Sequence, residues 1–140
     1  MTNCTPASNA VTSTGYCDSN LSLLGTATAG VEYSKNTTAS SALPATVKAG
    51  DTAVFAVVTV YTNSTKATVA GQRNLSYVIE ADTPTTAIAN LITKGFNNAN
   101  QLLFTQQARY RIAAGGTLTS ISIDVQFSTV STNHVVYTKS

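Results

Sequence analysis

Tryptophan is absent from this chain of 140 residues, and charged residues make up only 10% of it. Methionine occurs only as Met1 and histidine only as His134. Eight Lys and Arg against six Asp and Glu leave a net charge of +2 with the basic residues scattered. That excludes a nucleic-acid binder working through a cationic face. No apolar run approaches the roughly 20 residues that a membrane-spanning helix needs. The two cysteines, Cys4 and Cys17, lack the Cys-x-x-Cys spacing of a zinc knuckle, and the one histidine stands at the opposite end of the chain, so no metal site is expected. Gly-x-Ser-x-Gly elbows, P-loops and dinucleotide fingerprints are likewise missing, and no cofactor is expected. Met1 to Asn20 contains neither Lys nor Arg and no apolar stretch of the roughly 7–15 residues a secretory signal uses, so such a signal is not expected there.

Thr, Ser and Asn together supply about a third of the chain, a composition suited to strands and turns. At this length one core is expected, divided into an extended N-terminal arm over residues 1–45 and a β core over 46–140. The arm is small and polar, broken by the short apolar pieces Leu21–Leu24 and Val31–Tyr33, which suggest one or two short strands. It has too few large side chains to build its own core and must lie on the rest of the domain or on a neighbouring copy. With Pro6 and Gly15 nearby, a Cys4–Cys17 disulfide would close a short loop. Loops of about 15 residues carry roughly 3 kcal/mol of nominal stabilisation. Two free thiols are the alternative. Five Asn-x-Ser/Thr triplets, beginning at Asn3, Asn20, Asn36, Asn63 and Asn74, are mostly what chance gives in so Thr- and Ser-rich a chain.

Within the core, Ala53–Tyr61 is a nearly continuous β-branched and aromatic run behind the turn pair Gly50-Asp51, and reads as a buried strand. A polar connection over 62–72 leads to a second strand at Leu75–Ala81. Thr83-Pro84 then carries an N-cap and first-turn signal, and Ala87, Ile88, Leu91, Ile92 and Phe96 recur at steps of three and four. That spacing predicts an amphipathic helix near residues 84–97. Leu102–Ile112, Leu118–Phe127 and Asn133–Thr138 read as three further strands, with Gly115-Gly116 as the turn between the first two. The expected fold is mainly β, an antiparallel sheet, sandwich or barrel, with the helix laid across one open face or end.

Chemistry-bearing combinations are few. Glu80 and Asp82 stand two apart at a strand end, but Asp82 would suit the positive end of the helix that follows, and no catalytic pair is assigned. His134 has no elbow serine to serve, so a Ser-His-acid triad is not expected. Arg109, Tyr110 and Arg111 form the one basic cluster with an aromatic between, and a subunit contact is the use expected of them. The six tyrosines could stack on sugars, although tyrosines in strands are usually half-buried.

The run Ala49-Gly50-Asp51-Thr52, the strand Leu75–Ile79 and the segment Ala81-Asp82-Thr83-Pro84 through Ile92 resemble a small β-β-α-β module of bacteriophage virion proteins and bacterial surface-layer proteins. The likeness covers residues 49–105 and is interrupted by the insert Asn63–Asn74. It implies a non-enzymatic structural part of a virion, either a tail-tube subunit or a capsid decoration protein. Strands almost without Lys suit subunits that pack edge to edge, because a solitary sheet guards its rims with charge or proline. The expected partners are therefore copies of the same chain, joined through arm and sheet edges, together with other virion proteins, in an extracellular particle. A carbohydrate-binding adhesin and a bacterial extracellular filament or surface-layer subunit are the alternatives.

Overall fold

The computed structural model describes residues 12–17, 23–37, 41, 44–128 and 134–138. Nine strands run through them: β1 (Ser13–Cys17), β2 (Leu23–Thr28), β3 (Glu32–Asn36), β4 (Thr52–Tyr61), β5 (Val69–Thr83), β6 (Thr86–Asn97), β7 (Leu102–Ala113), β8 (Leu118–Phe127) and β9 (His134–Thr138). They form one open sheet in chain order, and every neighbouring pair is antiparallel.

The turns follow from local chemistry. Ahead of β4, Asp51 caps its own turn: its Oδ2 accepts from the Lys48 N–H at 2.8 Å, and its N–H donates to the Lys48 carbonyl at 3.1 Å. Between β7 and β8, Gly116 takes φ 81°, a conformation glycine adopts without steric cost, and donates to the Ala113 carbonyl at 2.8 Å. The chain leaving β3 stays with β4, since the Thr37 and Ser41 amides each donate to a β4 carbonyl at 2.8 Å. The arm region thus contributes three strands, β1 to β3, to the same sheet.

The helix expected near residues 84–97 is not there. Thr86–Asn97 is strand β6, paired along its length with β5 and β7, and among the described residues there is no helix. Two features explain the difference. Thr83 pairs with Thr86 across a tight turn that has Pro84 in its second position, where proline's fixed φ serves a turn as well as a first helical residue. The step from Ile88 to Ile92 to Phe96 is four, which is even, and so keeps these residues on one side of a strand as well as on one helical face. Ala87, Ala89 and Leu91 occupy the other side, and two long neighbouring strands satisfy the backbone.

Register sorts the side chains onto two faces. One face carries Val58, Leu75, Tyr77, Ile79, Leu91, Phe104, Ala108, Tyr110, Ile112 and Ile123, and is largely apolar from β4 onward. The other carries Asn74, Glu80, Asn90, Gln107, Arg109 and Asp124 among Val78, Ile88, Ile92 and Phe96, and holds most of the strand charges. Buried apolar residues are few: Ala56, Val58, Val60, Tyr77, Ile79 and Ala108. Among the described residues no large side chain is less than 2% exposed. Domains ordinarily bury the apolar side of a sheet under a second layer. Here the helix that was to supply one is itself a sheet strand, and the face keeps only partial cover.

Candidate functional site

The apolar face is the part of the molecule with unfinished business. At one end, Pro44, Ala45 and Val47 lie over it beside Tyr77 and Ile79, and Ile79 is only 3% exposed. Next to that cover opens a hollow of about 320 Å³ floored by Leu91, Tyr110, Ile112 and Leu118. Towards β9 the cover ends. Leu118 is 61% exposed, Phe127 40%, Val135 37% and Tyr137 64%, and the register places all four on this one face. Their alternation with polar residues marks an interior face, yet they meet solvent.

A row of contacts crosses the same face at the opposite strand ends. The Arg73 guanidinium pairs with Glu32 at 2.6 Å and stands 5.9 Å from the centre of the Phe104 ring, which in turn meets Phe127 at 6.4 Å between centroids. Gly95 lies between Arg73 and Phe104 in the register. A Cβ added there would run into the Phe104 ring, so the missing side chain is what lets the ring lean across β6.

Glu32 and Arg73 are the only ionisable Lys, Arg, His, Asp or Glu residues on the apolar face among the described strand residues, and they neutralise each other. The remaining strand charges share the polar face. Asn90, 3% exposed, donates through Nδ2 to Glu80 Oε1 and Gln107 Oε1, each at 2.9 Å. Arg109 reaches Glu80 at 3.5 Å, Arg111 binds Asp82 at 2.7 Å, and His134 Nε2 lies 2.7 Å from Asp124 Oδ1. Asp82 also accepts from the Thr86 hydroxyl at 2.7 Å. The hydrogen bond from Arg111, followed by that from Thr86, holds the Asp82 carboxyl below its ordinary range, and Asp82 raises Arg111 in return. Asn74 Oδ1, Asn90 Oδ1 and Arg109 Nε are buried without a protein partner.

No known protein family, curated protein or solved structure matches this chain.

Several residues singled out in the sequence are placed differently from the expectation. Asp82 faces Arg111 on an adjoining stretch of sheet and has no helix end to serve. Arg109 and Arg111 lie on the polar face in ion pairs within the chain, whereas Tyr110 points to the apolar face and lines the hollow. The trio is thus split between two surfaces. His134 meets an acid, Asp124, through its exposed imidazole, and among the described residues no serine is hydrogen-bonded to it. Cys4 lies outside the described residues, so the Cys4–Cys17 bridge does too, although the backbone of Cys17 closes β1. Among the described residues no group of three or more His, Cys, Asp or Glu could hold a metal ion, and no helix is long and apolar enough to cross a membrane.

Sequence reasoning missed the tyrosine row on the polar face of the first strands. Tyr16, Tyr33 and Tyr61 stand in line, with successive centroids 6.4 Å apart and Lys66 5.2 Å from the Tyr33 ring. A recess beside Tyr16 and Tyr33 is lined also by Leu24, Gly25, Lys35 and Thr37. Only register, with Tyr33 opposite Tyr61 and Gly25 opposite Tyr16, reveals the row.

Proposed function

We propose that this chain is a non-catalytic structural subunit that assembles with copies of itself into a particle or filament. The observation that carries the reading is the single-layer sheet whose apolar face ends in exposed Leu118, Phe127, Val135 and Tyr137. Contiguous apolar surface of this kind marks an interaction site. Pairing of the polar-face carboxylates with arginines supports a structural role for those residues, because such pairs fix strands without presenting an unpaired acid or base. A virion is the setting suggested by the resemblance over residues 49–105. The helical element of that resemblance is strand β6 here, so the setting rests on the hairpin opening at Gly50-Asp51-Thr52. The test is native mass measurement and electron microscopy of the purified chain at micromolar concentration. Discrete oligomers or regular assemblies are expected; a monomer at every concentration refutes self-assembly.

One observation favours a second reading. The Tyr16, Tyr33 and Tyr61 row is an aromatic surface with Lys35 and Lys66 beside it, the chemistry on which a sugar ring stacks. Glycan-array binding that is lost in Tyr33→Ala would support a carbohydrate-binding role.

A further inference from the structure

We infer that two copies of the chain close face to face through the β7–β9 end of the apolar face, each supplying one layer of a β-sandwich and covering the other's exposed apolar side chains there. The inference rests on the self-assembly reading and specifies the surface. Three observations select it.

The first is the segregation of charge. An isologous contact presents the same patch from both copies, so a patch with unpaired charge of one sign repels itself. Among the described strand residues this face carries only the mutually paired Glu32 and Arg73, both outside β7–β9, while Lys35, Glu80, Asp82, Lys94, Arg109, Arg111, Asp124 and His134 all belong to the opposite side. A second copy therefore meets no like charge at the apolar end.

The second is area. Strands about 4.8 Å apart, rising about 3.3 Å per residue, give the three-stranded β7–β9 end a footprint of about 14 by 30 Å, or roughly 400 Å² on each copy. Two such faces cover roughly 800 Å² together, the size of a weak, concentration-dependent contact. Sheets packed this way sit about 10 Å apart. At that distance, a large side chain from one copy can enter the hollow beside Ile112 and Leu118 of the other.

The third concerns the rims. Nine strands in an alternating meander leave β1 and β9 running in the same direction. Adding a copy end to end with the same face upward would make β9 and β1 a parallel pair, unlike every pair within the sheet. Facewise closure needs no such junction.

Sedimentation velocity on the full chain tests this with matched substitutions on either side of the sheet: Leu118→Lys and Tyr137→Lys on the apolar face, and Val136→Lys on the polar face of β9 beside Asp124. The expected result is a dimer, or a larger assembly built from dimers, for the wild type and Val136→Lys, with at least a 100-fold weaker dissociation constant for the two apolar-face variants. A wild type that associates equally well in all three variants overturns the facewise contact but leaves self-assembly standing. A wild type that is monomeric throughout overturns both. Should either apolar-face variant lose its β-sheet circular dichroism, hydroxyl-radical footprinting of the wild type decides. Protection of Phe127 and Tyr137 that grows with protein concentration supports the contact, and protection of Tyr16 and Tyr61 in their place overturns it.

Discussion

Replacing Gly95 with Ala tests how the apolar face is organised. The added methyl would strike the Phe104 ring, which lies across β6 between Arg73 and Phe127. Forcing one extra carbon into such a contact costs about 1–3 kcal/mol. A ring pushed aside also loses its contact with the Arg73 cation, about 0.5–1 kcal/mol, and its tilted pairing with Phe127, about 0.5–1.5 kcal/mol. Alanine returns about 0.5–1 kcal/mol because glycine is a poor strand residue. The expected net loss is about 1–5 kcal/mol, measured by urea denaturation at one fixed protein concentration so that association does not enter the comparison. In a Phe104→Ala background the same Gly95→Ala change meets no ring and should be neutral or slightly stabilising. An equal loss in both backgrounds would refute the assignment of Gly95 to ring clearance.

Gly71 provides a contrast, because a Cβ there meets the backbone carbonyl of Phe96: Gly71→Ala should destabilise, and the Phe104→Ala background should not relieve it in the same denaturation series. Asn90→Ala removes a buried donor shared by Glu80 and Gln107, and should cost about 1–3 kcal/mol in urea titrations, since buried acceptors lose their partner. Asp82 has a lowered folded pKa, so its contribution is present above the ordinary carboxylate value and fades as pH falls through the depressed one. Asp82→Asn should accordingly be less stable than wild type at pH 7, and the two should converge towards the acid end of a pH series of melting curves.

Much of the sheet was legible as alternation. Leu118–Phe127 puts Ile123, Val125 and Phe127 on one side and Ser122, Asp124 and Gln126 on the other, and it is a strand. The β6 segment was not legible, because apolar residues on both of its faces produce the three-and-four spacing of a helix and only the flanking partners decide between them. β5 begins at Val69, earlier than the predicted Leu75, because Gly71, Gln72 and Arg73 look like a polar connection until Arg73 is seen paired with Glu32. The alternation of Tyr110 and Ile112 against Arg109 and Arg111 was legible too, and β7 keeps it. The pairing of Glu80 with Arg109 and of Asp82 with Arg111 spans an intervening strand and depends on register, which no local pattern encodes.

The order of the strands has a bearing on how the chain reaches this shape. Because each strand bonds to the one before it and the one after it, the sheet can lengthen hairpin by hairpin without waiting for distant segments to find each other. That is a topology of low contact order for a β protein, and low contact order goes with fast folding. A subunit that matures in this way can be finished locally before it ever encounters a second chain.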